Sequence, residues 1–123
     1  MVTIRREQLD AFAVSALSSF EARMIDHLES IFPDWSAARG PSNLRAFVRH
    51  GISRARAHGF EVELDVARYL HVMQELGERF DESPDHPWAA ELLARTIPSQ
   101  EKMDCLRDAC EYQLEARRIG HGR

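Results

Sequence analysis

"LRAFVRHGISRARAHGFEVELDVARYLHVMQELG" (residues 44–77) contains two helix-length apolar patterns separated by a single glycine, Gly59. In both halves the apolar residues recur at steps of three and four, which is the period of one face of an α-helix. Gly59 is placed to end the first helix in a left-handed conformation, and Gly77 to end the second. The stretch therefore predicts a hairpin of two amphipathic helices.

The first helix of this hairpin is predicted to begin at an N-cap, Ser42, and to end at Gly59. Gly51 falls on its apolar face, where glycine weakens a helix by up to about 1 kcal/mol relative to alanine. Close approach of a neighbouring helix is the natural reason for a glycine there. The predicted inward residues are Leu44, Phe47, Val48, Ile52 and Ala55.

Three further long or medium apolar patterns complete the chain. The first helix is predicted from Arg5 to Ile31 with Thr3 as N-cap, and the last from Ser99 to about Arg118. The second helix of the hairpin is predicted over 62–76. The predicted inward residues of the first helix are Leu9, Ala13, Ala16, Leu17, Phe20, Met24, Leu28 and Ile31. Those of the second hairpin helix are Val62, Val66, Tyr69, Leu70, Met73 and Leu76, and those of the last helix are Met103, Leu106, Cys110 and Leu114.

The remaining segments are connectors. "PDWSAARGP" (33–41) is expected to form about one helical turn, and "PWAAELLAR" (87–95) a short helix that begins with proline. "ERFDESPDHP" (78–87) reads as a polar loop. The predicted fold class is all-α, a compact antiparallel helical bundle of four main helices plus one or two short helices. We expect a single helical domain over residues 1–123, with a frayed tail over 118–123.

The overall charge and the hydropathy of the chain argue against nucleic-acid binding and against a membrane span. The formal net charge is −4, with 44% hydrophobic and 29% charged residues, so the chain as a whole is not an electrostatic binder of nucleic acid. It contains no apolar run of the roughly 18 residues that a membrane span needs, and its first residues lack a secretory signal pattern. We therefore expect a cytoplasmic protein that binds neither membrane nor nucleic acid.

Motifs for catalysis or metal binding are missing from the sequence. No histidine follows a glutamate by three residues, and His71 with Glu75 lies on a polar helix face. Cys105 and Cys110 project about 140° apart on one helix, so they neither pair nor chelate together. Cys110 is on the apolar stripe, whereas Cys105 shares a face with Tyr112 and is a candidate surface thiol. We expect no catalytic residue, cofactor or metal, and hence no enzyme.

Arginines on the first hairpin helix are the main candidate partner-binding residues. Residues 39–58 carry five arginines and no acid, whereas residues 61–91 carry nine acids and two arginines. Arg45, Arg49 and Arg56 border one flank of the apolar stripe, and Arg54 borders the other. Either these arginines pair with the following acidic helix, or they face a protein partner. Both interpretations stay open, and a nucleic-acid-reading helix is a third, weaker one.

Two tryptophans, Trp35 and Trp88, lie in or beside connectors. A tryptophan next to a turn is typical of a lid over the end of a helical bundle. It is also the residue type most enriched in interface hot spots. Trp35 and Trp88 are therefore candidate partner-binding residues beside Arg45, Arg49 and Arg56.

Several short motifs together resemble a known family. They are Phe-x-x-Arg-Met-x-x-His-Leu (20–28), Arg-x-Gly-Ile-x-Arg-Ala (49–55), Gly-x-x-x-Glu-x-Asp-Val-Ala-Arg-Tyr (59–69), then Phe-Asp (80–81) and Pro-Trp (87–88). Over residues 7–95 the chain looks like small all-helical bacterial proteins that are encoded beside type VI secretion effectors, their spike proteins and their adaptors. The family has no catalytic motif.

This resemblance implies an effector co-chaperone, which is an accessory protein that helps an adaptor chaperone hold a toxin effector for loading. Its expected partners are an effector adaptor chaperone, a toxin effector, or both. An immunity protein that neutralises a cognate toxin is the alternative, because such proteins are encoded in the same neighbourhoods.

Overall fold

Helices make up the regular structure of the chain. The computed structural model describes the backbone of residues 6–121 and the side chains of residues 16–119. Over that range it contains six helices and no strand: α1 (Arg6–Ile31), α2 (Pro33–Arg39), α3 (Pro41–Ala57), α4 (Glu63–Leu76), α5 (Pro87–Leu93) and α6 (Ser99–His121). The predicted all-α fold class is confirmed, with four longer helices and two short ones in the described range. None of these helices combines the length and apolar content that crossing a bilayer requires.

Two compact units divide the chain within α3, at Met1–Arg49 and His50–Arg123. The first unit contains α1, α2 and the first half of α3, and α2 packs against α1. The second unit contains the rest of α3 with α4, α5 and α6, and α6 packs against both α4 and α5. The single domain expected from chain length stays a prediction.

Helix boundaries follow the sequence pattern, apart from one incorrect cap, Ser42, and two helices, α2 and α6, that are longer than predicted. The predicted start at Arg5 and N-cap at Thr3 lie outside the described residues. Ser42 is not an N-cap, because α3 already begins at Pro41, whose fixed φ and missing N–H suit a first helical position. The connector over 33–39 forms the full seven-residue helix α2. Helix α6 continues to His121, beyond the predicted end at Arg118, and residues 122–123 lie outside the described range.

The end of α3 confirms the role predicted for Gly59. Its φ is +91°, in the left-handed region that glycine adopts without steric cost. The Gly59 N–H donates to the Arg56 carbonyl at 3.0 Å, and the Phe60 N–H donates to the Ala55 carbonyl at 2.9 Å. This pair of bonds is the Schellman arrangement, which satisfies carbonyls left over at the end of a helix. Phe60 and Ala55 are fully buried, so the turn also fixes the start of the chain toward α4.

Most predicted inward residues are buried, but Leu17, Ile31, Val62 and Ala16 are exposed, and Leu76 and Leu114 are half-buried. The side chains of Leu9 and Ala13 lie outside the described residues. Leu17, Ile31 and Val62 are 37%, 50% and 62% exposed. Val62 is the N-cap of α4 and has extended backbone, so the helical period does not yet apply to it. Ile31 is the last residue of α1. The buried ones are Phe20, Met24, Leu28, Leu44, Phe47, Val48, Ile52, Ala55, Val66, Tyr69, Leu70, Met73, Met103, Leu106 and Cys110.

Gly51 marks the close approach of α3 and α4 within the second unit. A Cβ atom added there would collide with Leu70 Cδ2 and would lie 2.9 Å from Met73 Sδ. Contacts this short are essentially never made by real Cβ atoms. The predicted reason for a glycine on this apolar face is therefore confirmed.

Gly51→Ala is expected to lower the free energy of unfolding by about 1 kcal/mol, although alanine is the better helix former. The gain in helix propensity is at most about 1 kcal/mol, whereas overpacking a core costs about 1–3 kcal/mol. Urea unfolding followed by circular dichroism measures the difference. Ser53→Ala, at an exposed position of the same helix, is the matched control and should be neutral or slightly stabilising. A stabilised Gly51→Ala protein would show that Leu70 and Met73 move aside at no cost.

Candidate functional site

The segment between α4 and α5 is not the solvated loop that its polarity predicts. Phe80, Asp81 and His86 are only 1%, 4% and 3% exposed. Phe80 is the one large apolar side chain in this segment. Its ring packs against that of Tyr69 on α4, with 5.2 Å between the two ring centroids. Because Phe80 anchors the segment in the core of the second unit, the neighbouring Asp81 is carried inward with it.

Asp81 is held by two side chains, Arg54 and His58, at the end of α3. Both Nε and Nη2 of Arg54 lie 2.7 Å from Asp81 Oδ2, and His58 Nε2 donates to the same oxygen at 2.9 Å. Arg54 and His58 are four residues apart, a spacing that puts both side chains on one side of a helix. The Arg54 Nη2 atom also lies 3.5 Å from Glu82 Oε1. Arg54, His58 and Asp81 form a partly buried network, and the exposed Glu82 extends it beyond Arg54.

The network shifts the pKa values of Asp81, Arg54 and the neighbouring Tyr69. Burial disfavours a charged carboxylate, but hydrogen bonds from His58 and Arg54, with the charge of Arg54, outweigh it and lower the pKa of Asp81. The hydrogen bond to Asp81 raises the pKa of Arg54 against the opposing effect of burial. Burial and the charge of Asp81 raise the pKa of the Tyr69 hydroxyl. At neutral pH the carboxylate is therefore ionised and the phenol neutral.

This arrangement suits a structural role better than an acid–base one. A general base works best with a pKa near the operating pH, whereas the pKa of Asp81 is moved further below it. Its Oδ2 atom already accepts from both Arg54 and His58. The network therefore ties the 78–86 segment to the end of α3, within the second unit.

The predicted arginines divide into paired and unpaired ones. Arg49 Nε donates to Glu21 Oε2 at 3.1 Å in the first unit, although its side chain stays 61% exposed. Arg45, in the first unit, and Arg56, in the second, are exposed, and neither forms an ion pair with any described residue. The acids that do pair with α3 lie in α1 and in the segment after α4. All three predicted partner-binding arginines are therefore exposed, and two of them, Arg45 and Arg56, have no ion-pair partner among the described residues.

Trp35 is half-buried against aromatic neighbours of the first unit. Its ring meets Phe47 edge-on at 4.9 Å between centroids and Phe32 at 6.4 Å. The Arg39 guanidinium lies 5.3 Å from the Trp35 centroid and 4.7 Å from that of Phe47, within cation–π range. These contacts hold Trp35 in place while leaving part of its ring exposed.

Trp88 is half-buried near the start of α5 in the second unit. Its ring meets His86 edge-on at 6.1 Å between centroids. Both Trp88 Nε1 and His86 Nδ1 are buried, with no hydrogen-bond partner among the described residues. The indole N–H of Trp88 is therefore turned away from solvent, and only the apolar part of the ring is available to a partner.

Sequence reasoning did not connect Asp81 with Arg54 and His58. The available signal was Phe80, a lone aromatic residue that an acid follows directly inside an otherwise polar segment. Over the described residues, no three histidine, cysteine, aspartate or glutamate side chains converge into a group suited to a metal ion. Comparison of the chain with protein-family models, with curated proteins and with solved structures finds no match.

Proposed function

We propose that this chain is a non-enzymatic protein-binding module, an accessory co-chaperone that helps a cytoplasmic adaptor hold a type VI secretion effector for loading. The observation that carries protein binding is the pair of exposed arginines, Arg45 and Arg56, which have no ion-pair partner among the described residues. Arginine is enriched in the centres of protein interfaces, where its planar fork binds carboxylates. The delivery role comes from the resemblance of the motifs over residues 7–95.

The division of the arginines supports this proposal. Arg54 is used inside the fold, since it binds the buried Asp81. Arg45 and Arg56 make no such contact, so their guanidinium groups remain available for acidic side chains of a partner. Each belongs to a different unit, and each offers its charge independently.

The proposal predicts that Arg45→Glu together with Arg56→Glu weakens partner capture while the fold is kept. The native chain, purified from its own cells, should recover an adaptor chaperone or a secreted effector. The double variant should recover them about tenfold less well, because reversed charges repel the acidic surface. Quantitative mass spectrometry of the bound fraction measures the change, and circular dichroism checks helicity.

Arg95→Glu with Arg107→Glu is the matched control, because both arginines are exposed, lie outside α3 and have no ion pair with a described residue. It changes the net charge equally and should leave capture unaltered. Equal losses in the two double variants would show that only net charge matters. Recovery of neither adaptor nor effector by the unaltered chain would contradict the delivery role. Recovery of a toxin alone, with rescue of cells that express it, would instead show immunity.

A further inference from the structure

Helix α6 carries a second apolar stripe, which we call the α6 seam. Its members are Cys105, Ala109, Tyr112, Ala116 and Ile119. They are spaced by four, three, four and three residues, which is the a/d spacing of a coiled coil. At 100° per residue the seam lies about 130° around the helix from the buried stripe of Met103, Leu106 and Cys110. The seam therefore faces away from the core of the second unit.

The far half of the α6 seam is open to solvent. Tyr112 and Ile119 are 74% and 58% exposed, and Ala116 between them is exposed as well. Beyond Cys110, no described side chain of α6 is buried. Residues 111–121 span about 16 Å of helix, and an isolated helix this short is marginal in water. A helix with an uncovered heptad stripe is the surface against which a second helix packs.

Acidic residues follow one flank of the α6 seam. Glu101, Asp108 and Glu115 are seven residues apart, all are exposed, and in heptad terms all occupy g positions. The opposite flank, at e positions, contains Leu106 and Gln113 and carries no charge. Glu115 accepts two hydrogen bonds from Arg118 at 2.6 and 2.7 Å, an exposed pair of small value that a partner cation can replace. The flank is therefore complementary to cations.

This charge pattern disfavours a second copy as the occupant of the seam. An antiparallel pair of α6 helices places g positions against g positions, so Glu115 and Asp108 would face like charges. A parallel pair places g against e, where Leu106 and Gln113 offer no cation. A helix with lysine or arginine beside its apolar stripe, in contrast, pairs its cations with the acidic flank. Tyr112 then supplies an aromatic anchor of the type that dominates interface energetics.

We infer that the α6 seam binds an amphipathic helix of a partner protein, one that carries basic residues beside its apolar stripe. The inference rests on the proposal that the chain is a protein-binding module, and it names the chemistry of one partner segment. It does not depend on which delivery component provides that segment.

A designed peptide pair tests the inference on the full chain. The probe is a peptide of about four heptads with leucine at a and d and lysine at e and g, whose like charges keep it from pairing with itself. The matched peptide has glutamate at e and g. Fluorescence anisotropy of labelled peptide measures binding, and protection of Cys105 from a maleimide reports where the peptide sits. Cys110 stays silent in the second assay, because burial, with nearby Glu75 and Glu111, raises the pKa of its thiol to about 11.

The lysine peptide is expected to bind and to protect Cys105, and its affinity should fall with added salt. The glutamate peptide should bind at least about tenfold more weakly. Tyr112→Glu with Ile119→Glu should abolish binding. Leu64→Glu, at an apolar residue of α4 that is 57% exposed, is the matched control and should not change it. Asp108→Lys with Glu115→Lys should reverse the preference between the two peptides.

Four results would overturn the inference. Equal binding of both peptides would remove the charge argument, and binding that survives the Tyr112 and Ile119 variant would place the peptide elsewhere. Sedimentation that shows a dimer of the chain, dispersed by Tyr112→Glu, would make a second copy the occupant. The proposed function is tested separately. If the chain recovered neither adaptor nor effector from cells but still bound the lysine peptide, the delivery role would fail and the inference about the seam would stand. Equal recovery of those partners by the seam variant would refute the inference alone.

Discussion

Replacing Asp81 with alanine is expected to lower the free energy of unfolding by about 3–5 kcal/mol. The substitution leaves Arg54 and His58 without the carboxylate that both of them contact, at 2.7 and 2.9 Å. Removing one partner of a buried ion pair costs far more than the pair contributes. The partly buried Arg54 charge then keeps only its longer contact with Glu82, at 3.5 Å. The substitution also frees the 78–86 segment from α3. Urea unfolding at neutral pH, followed by circular dichroism, measures the loss.

Glu82 provides a control in the adjacent position. Its carboxylate lies 3.5 Å from the same Arg54, but its side chain is 53% exposed. Exposed ion pairs contribute at most about 1 kcal/mol, so Glu82→Ala should change stability by less than that. Comparable losses in the two variants would mean that the charge of the segment matters and the burial of Asp81 does not.

The pH dependence of stability checks the ionised state of Asp81. Its pKa in the folded protein is lower than the value of about 3.9 expected when unfolded. The unfolded chain therefore binds the proton first, and the stabilisation is complete above the unfolded pKa and is lost as pH falls through the folded pKa. The difference in unfolding free energy between the unaltered chain and Asp81→Asn should be constant near neutrality and shrink below about pH 4. A difference that grows on acidification would contradict an ionised Asp81.

Helices were the predictable part of this molecule, because their apolar period is a local property of the sequence. Gly59 and Gly77 could be assigned as helix ends for the same reason, and both have positive φ. Gly51 could be explained only by a neighbour, yet its place on an apolar face was sufficient to predict one. Local chemistry was less reliable at Ser42, where the preceding Pro41 took the first helical position.

The ion pairs of α3 could not be predicted, because they join residues far apart in the chain. Arg54 and Asp81 are separated by 27 positions, and Arg49 and Glu21 by 28. The counts of acidic and basic residues showed that acids are in excess after α3. They do not say which of those acids are buried. Asp81 is buried because the adjacent Phe80 packs in the core. The same reason limits the site prediction, since the pattern could not separate arginines used inside the fold from those left exposed.

The α6 seam, unlike the ion pairs of α3, has a spacing that is visible in the sequence, but its exposure is known only from the structure. Its heptad spacing is written in the sequence, and the shared face of Cys105 and Tyr112 was recognisable there. Spacing alone does not say whether a stripe is core or surface, because Met103, Leu106 and Cys110 form an equally regular pattern on the same helix. Exposure decides between them: Cys110 is 5% exposed and Tyr112 is 74% exposed. The structure therefore changes an ambiguous pattern into a candidate interface.

Lys102→Met is expected to lower the free energy of unfolding by about 3 kcal/mol. Lys102 is the only lysine in the sequence, and it is 8% exposed near the start of α6. Its Nζ atom donates to the Leu93 carbonyl at 3.0 Å and to the His58 carbonyl at 3.2 Å. Leu93 is the last residue of α5, and His58 directly follows the last residue of α3. One ammonium group therefore satisfies carbonyls at the ends of two helices, where the negative end of each helix dipole favours a cation.

Methionine is the informative replacement, because it keeps an unbranched apolar stem and removes only the charged donor. Two carbonyls then lose a charged donor in a buried site, at a cost of about 1.5–3 kcal/mol for each such hydrogen bond. Arg107→Met, at an exposed position on the same helix, should change stability by less than about 0.5 kcal/mol. A loss below about 1 kcal/mol for Lys102→Met would show that the desolvation of the ammonium cancels its bonds. In that case the chain would hold the ends of α3 and α5 by apolar packing, and the lysine would add only orientation.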